Sequence, residues 1–196
     1  QNIVRAVTGA VDNPGKISLS DLKNYRVIER QPVCAPYREY EVCGMGAPSS
    51  GAIALGEILG VLQNQDMKAL GSENIHSWRW IGDASRIAFA DRDHYIGDPA
   101  FVNVPTRALI SQAYLKPRAE EIRQADKALE NIQAGKFGKK YAQGMAVELP
   151  STSHLVVVDK DGNVVSMTTS IENAFGSGLM ANGYLLNNEL TDFAFN

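Results

Sequence analysis

The sequence has no run of basic residues: 19 Lys and Arg stand against 22 Asp and Glu, for a formal net charge of −3 and a pI of about 5.6. It therefore offers no electrostatic footprint for a phosphate backbone, and nucleic acid is not an expected partner. No stretch approaches the roughly 18 apolar residues that a membrane helix needs, so no membrane segment is expected either. No signal peptide opens the chain, which says nothing about a longer gene product. Cysteine is scarce. Cys34 and Cys43 could pair if their strands lie side by side, but two cysteines without metal-like spacing are more often free and partly buried, and that is the expectation.

Several catalytic signatures are absent as well. No G-x-S-x-G elbow surrounds Ser49 or Ser50, so these serines are expected to order a loop and cap the helix that follows. Asp91, Asp93, His94 and Asp98 cluster, but Arg92 puts a cation between the acids and the usual ligand spacings are missing, so no metal is expected. Asp159-Lys160-Asp161-Gly162 lacks the third acid and the distal glutamate of a calcium loop and reads as a turn. No cofactor is called for.

What is present is an ordinary globular composition, 44% hydrophobic and 21% charged, enough for a real core. Asn2 to Val11 reads as a helix closed by Asn13-Pro14-Gly15, and Ser18 to Asp21 as a short capped helix. Tyr37 to Val42 alternates like an edge strand. Ile53, Leu55, Ile58, Leu59 and Leu62 recur at a mostly helical spacing, and a second long helix carries Ile75, Trp78, Ile81, Ile87 and Ala88 to an end near Gly97. From Thr106 to Ala134 the pattern is helical but increasingly polar. Gly135 to Lys140 then reads as a mobile linker.

After Leu149 the character changes. Leu155 to Asp159 alternates, Asp161-Gly162-Asn163 turns the chain, and Val164 to Ile171 returns, which predicts a β-hairpin with Thr152 at its mouth. A threonine hydroxyl becomes a useful nucleophile when its own α-amino group is free to act as base, and that requires the bond between Ser151 and Thr152 to be cut.

Thr152-Ser153-His154, the D-K-D-G-N turn, F-G-S-G at Phe175 to Gly178 and L-L-N-N-E-L-T-D-F at Leu185 to Phe193 follow one another as they do at the start of the small catalytic subunit of the γ-glutamyltranspeptidases. P-S-S-G at Pro48 to Gly51 and A-D-R-D-H-Y-I-G-D-P at Ala90 to Pro99 resemble that family's large subunit. The resemblance covers most of the chain and implies an α+β fold, the αββα sandwich of the N-terminal nucleophile hydrolases, here incomplete. It implies residues 1–151 as the late part of a large subunit, mainly helical, and 152–196 as the start of a small one.

By the same resemblance, autocleavage between Ser151 and Thr152 exposes the nucleophile, and the two subunits stay together as a heterodimer. Ser170 is implied as the hydroxyl partner of Thr152. Glu172, Glu189 and Asp192 are implied as substrate contacts, Asp192 gripping the donor's α-amino group. Glu172 is expected to share a strand face with Ser170 because side chains alternate. His154 is implied as structural support and not as the base. The implied activity is transfer or hydrolysis of γ-glutamyl groups from glutathione and related amides to water, an amino acid or a peptide, in a periplasmic or extracellular setting. The oxyanion-hole glycines and the groups that bind the donor carboxylate are expected outside residues 1–196, so these residues alone are expected to have negligible activity. A cephalosporin acylase or poly-γ-glutamate hydrolase of the same family, and an inactive scaffold, remain as alternatives.

Overall fold

The computed structural model describes residues 1–138 and 152–192, apart from the side chains of Thr191 and Asp192. In chain order the elements are helices α1 (Asn2–Thr8) and α2 (Leu19–Asn24), strands β1 (Val33–Tyr37) and β2 (Tyr40–Gly44), and helices α3 (Gly51–Leu62), α4 (Met67–Leu70), α5 (Ile75–Tyr95), α6 (Thr106–Leu109) and α7 (Gln112–Gln124). Strands β3 (Ser153–Val158), β4 (Val164–Thr169), β5 (Met180–Ala181) and β6 (Tyr184–Leu185) follow, with a 3-10 helix at Glu189–Asp192. The fold is α+β. Its described residues form two compact units, one running from Glu29 to 138 and one that gathers Gln1–Ile28 with 152–192. The first 28 residues thus group with the hairpins; the division expected at Thr152 is a covalent cut and a separate matter.

In the helical unit, β1 and β2 pair antiparallel with Cys34 directly opposite Cys43. The strand expected over Tyr37 to Val42 is in fact this hairpin's turn and its second strand, with Arg38 at φ 56. The cysteines expected to be free are joined in a disulfide. Direct cross-strand register brings their Cα atoms to 4.0 Å, a closeness that sequence separation alone does not reveal.

Helix α3 packs on α5 and α7 around Val61, Leu62, Trp80, Ala84, Ile87, Leu115, Ala119 and Ile122. A second cluster of Ala47, Ile53, Tyr95 and Leu109 lies beside it. Gly60 lets α3 and α7 approach closely, since a Cβ there would stand 2.4 Å from Leu115 Cδ1. Ser50 precedes α3 but its hydroxyl caps no backbone amide; its Oγ accepts a hydrogen bond from Arg92 Nε at 3.2 Å instead. Ser50 itself has helical φ and ψ, a geometry that turns the side chain away from the amides an N-cap serves.

The tract after α7 departs most from expectation. Arg79 donates to the carbonyls of Ile122, Ala125 and Lys127, and Asp83 accepts from the Leu129 amide at 3.1 Å. Asp91 accepts from the Gly135 amide at 2.7 Å, and the Tyr95 hydroxyl donates to the Gly135 carbonyl at 2.5 Å. The Phe137 ring meets Tyr95 and Tyr114 edge-on. Residues 125–137 are therefore a strap held along α5, and the mobile linker read at Gly135 is corrected as far as Gly138. Lys139 and Lys140 lie outside the described residues. The strap needs backbone partners because it has no ladder of its own, and buried acids on α5 supply them.

The other unit carries the predicted elements closely. Ser18 and Asp21 form a reciprocal capping box at the start of α2, α1 reaches the β5–β6 turn through Asn2 Nδ2 and Asn182 Oδ1 at 2.7 Å, and β3 pairs antiparallel with β4. Asp159 closes that hairpin by accepting from the amides of Asp161 and Asn163, each at 2.9 Å. Among the described residues, no helix is long and apolar enough to cross a membrane.

Candidate active site

The β3–β4 register pairs Ser153 with Thr169 and His154 with Thr168. One rung further out come Thr152 and Ser170, so the eighteen-residue spacing between them is the register of the hairpin. Thr152 Oγ1 donates to Ser170 Oγ at 3.2 Å. Ser170 Oγ also accepts from the Glu172 amide at 2.8 Å. Ser170 thus orients the threonine hydroxyl as an acceptor, and is itself fixed by the backbone two residues on.

Around this pair lies an open pocket of about 430 Å³ lined by Thr152, Ser153, Thr169, Ser170, Ile171, Glu172, Asn173 and Ala174. Glu172 lines it, though not by the expected route. β4 ends at Thr169, so strand alternation does not reach Glu172; the residue sits in a turn at φ 66 and is 3% exposed. Its carboxylate accepts a hydrogen bond from Asn188 Nδ2. Asn188 also donates its amide to Ile171 O at 3.3 Å and accepts from the Asn173 amide at 3.1 Å. Sequence reasoning named Asn188 only as part of L-L-N-N, with no role. No periodicity could have supplied one, because the contact joins residues on either side of the F-G-S-G loop.

That loop explains its own glycine. Gly176 has φ 54, and a Cβ there would stand 2.1 Å from the Leu186 carbonyl oxygen. Leu186 O instead accepts from the Ser177 amide at 2.8 Å and from Ser177 Oγ at 3.0 Å. The loop is thereby closed onto the segment that carries Asn188 and Glu189. Glu189 heads the 3-10 helix, and its Oε1 is buried with no hydrogen-bond partner among the described residues.

The Asp192 side chain lies outside the described residues, as does Ser151. His154 bridges Thr168 Oγ1 at 2.9 Å and Ser166 Oγ at 3.1 Å. Both partners stand across the hairpin on β4. Among the described residues, the one acid, histidine and cysteine grouping close enough to share a cation is Cys34, Glu41 and Cys43, and there the disulfide takes both sulfurs.

The pocket brings together a threonine hydroxyl at the N-terminal edge of a strand, a serine hydroxyl that accepts from it and a buried acid. The gamma-glutamyltranspeptidase family model matches residues 1–196. A glutathione hydrolase proenzyme of Escherichia coli (strain K12) is 40% identical over 185 residues, covering 93% of this chain and 31% of that protein. An acylase ACY 1 proenzyme of Pseudomonas sp. (strain V22) is 38% identical over 183 residues, covering 89% and 31%. The chain spans about a third of the length of these curated relatives. Among solved structures, the Helicobacter pylori gamma-glutamyltranspeptidase superposes with a TM-score of 0.59 at 40% identity, over 62% of this chain and 35% of that one. With its motifs in register and a match along its whole length, the chain belongs to the gamma-glutamyltranspeptidase family.

Proposed function

We propose that this chain supplies the nucleophile and the cleavage site of an autoprocessing enzyme that hydrolyses or transfers γ-glutamyl groups. The observation that carries the reading is the Thr152–Ser170 hydroxyl pair at 3.2 Å, immediately after the bond that must be cut. In the precursor, Thr152 Oγ attacks the Ser151 carbonyl carbon; the peptide C–N bond breaks and an ester forms. Water hydrolyses that ester, leaving a carboxylate on Ser151 and a free α-amine on Thr152. The amine then serves as base to its own hydroxyl.

In turnover, Thr152 Oγ attacks the γ-carbonyl of a glutamyl amide. The proton taken by the α-amine passes to the leaving amine, and the acyl ester is resolved by water or by an amino acid or peptide acceptor. Glu172 and Glu189, with Asp192, give the donor's ammonium group acidic partners. The cut leaves a large and a small piece, which we take to remain associated as a heterodimer. The Cys34–Cys43 disulfide suits an oxidising compartment, periplasmic or extracellular.

The test is the intact mass of the full-length gene product with N-terminal sequencing of any smaller band, then turnover of a γ-glutamyl anilide. We expect a new terminus at Thr152-Ser153-His154, and loss of both cleavage and turnover in Thr152→Ala. A processed protein that turns over neither γ-glutamyl nor glutaryl donors sinks the enzyme reading. A second reading, an acylase with the same nucleophile and a different acyl pocket, is favoured by the acylase-named relative at 38% identity. Preference for a glutaryl over a γ-glutamyl anilide would select it.

A further inference from the structure

Glu172 takes a left-handed backbone conformation, φ 66, which is unfavourable for a non-glycine residue and persists only where the surroundings hold it. What holds it is Asn188. Its side-chain amide donates to the Glu172 carboxylate, its side-chain oxygen accepts from the Asn173 amide, and its own amide donates to the Ile171 carbonyl. All three bonds land on residues 171–173, the turn that directs the Glu172 amide at Ser170 Oγ. Ser170 in turn receives the Thr152 hydroxyl. Removing the brace frees the turn to relax from its strained backbone, and with it the acceptor that fixes the direction of the nucleophile.

We propose that Asn188 is a positioning residue for Thr152, acting through the 171–173 turn and Ser170. This rests on the reading of Thr152 as the nucleophile. The Glu172–Asn188 bond requires one donor and one acceptor, so its polarity can be exchanged. Asn188→Asp removes the donor and sets two carboxylates against each other. Glu172→Gln added to Asn188→Asp restores a bond with the donor on residue 172, while the introduced aspartate of that double variant still accepts from the Asn173 amide.

The experiment measures the rate of self-cleavage of the full-length precursor, which involves no external substrate and so does not register Glu172 as a substrate contact. We expect Asn188→Asp to slow cleavage about tenfold to a hundredfold, and the exchanged pair to return it to within about threefold of the unmodified protein. In a Ser170→Ala background, Asn188→Asp should cost little further, because both act through one hydroxyl. A general loosening of the fold would instead add to the Ser170→Ala defect.

Cleavage of Asn188→Asp at the unmodified rate overturns the proposal. So does a defect that the exchanged pair leaves in place, or one that adds fully to Ser170→Ala. If the unmodified precursor does not cut itself at all, the reading of Thr152 falls and this inference falls with it; if it cuts and only these variants misbehave as stated, the inference alone is wrong.

Discussion

Glu57 on α3 is 1% exposed, and among the described residues neither of its carboxylate oxygens meets a hydrogen-bond donor. Asp91, fully buried, is better provided: it accepts from Tyr114 Oη at 2.6 Å and from the Gly135 amide at 2.7 Å. We therefore expect Glu57 to carry a proton at neutral pH, in a hydrogen bond with Asp91. Burial first, then the Asp91 charge and that hydrogen bond, push the Glu57 carboxyl from 4.5 up to about 11, against a smaller downward pull from Arg118 on α7. Burial, then its bond to Asp91, likewise raises the Tyr114 phenol.

The consequence is a pH slope of definite sign. A carboxyl with a raised folded-state pKa contributes its full stability below the unfolded value and loses it as pH rises towards the folded value. Between pH 6 and 8 the native state holds one proton that the unfolded state has released. Stability of the helical unit therefore falls by about 1.4 kcal/mol, or tenfold in the opening equilibrium, for each pH unit. Glu57→Gln keeps the volume and the donor to Asp91 but has nothing to release, so its slope lacks this term.

The assay is hydrogen exchange of the α3 and α5 amides in the intact protein, comparing unmodified chain and variant at each pH so that intrinsic exchange rates cancel. Protection of the unmodified chain relative to Glu57→Gln should fall about a hundredfold from pH 6 to pH 8. A ratio independent of pH would mean that Glu57 is ionised in the fold and that the assignment of the proton is wrong.

Two further outcomes follow from the packing. Gly176→Ala must accommodate a Cβ that would stand 2.1 Å from the Leu186 carbonyl oxygen at φ 54; we expect a loss of about 2–3 kcal/mol by urea denaturation, and a change below about 0.5 kcal/mol would refute the close approach. Tyr95→Phe keeps the ring contact with Phe137 but removes the hydroxyl that donates to Gly135. Limited trypsin digestion should then cut after the exposed Lys136 about tenfold faster, and an unchanged rate would mean that the strap is held by its apolar contacts alone.

That strap marks where the sequence misleads. Gly135-Lys136-Phe137-Gly138 has the composition of a solvated linker, and composition is silent about Arg79, Asp83, Asp91 and Tyr95, roughly forty to sixty residues earlier. Those residues recur on α5 at multiples of four, a stripe that an apolar pattern search passes over because it is polar. Ile75 and Trp78 are 78% and 62% exposed, while Trp80, Ala84 and Ile87 are buried beside Asp83 and Asp91. Hydrophobic periodicity locates this helix and picks out the buried Ile87 and Ala88, but it does not distinguish the exposed Ile75 and Trp78 from them.

The site behaves in the opposite way, for a physical reason. Thr152 and Ser170 are eighteen residues apart because one hairpin turn with a fixed register lies between them, and a two-residue side-chain period with a D-G-N turn is legible in a single sequence. Once the chain leaves β4 that rule ends. Glu172 lines the same pocket as Thr152, but the alternation expected to bring it there no longer operates beyond Thr169, and Asn188, which bonds its carboxylate, answers to no periodicity. Local register thus sets the distance between the Thr152 and Ser170 hydroxyls, whereas the turn next to Ser170 is joined to a residue beyond the F-G-S-G loop by a tertiary hydrogen bond. Chemistry carried by register can be read from sequence; chemistry carried by a brace has to be measured by breaking the brace and rebuilding it with its polarity reversed.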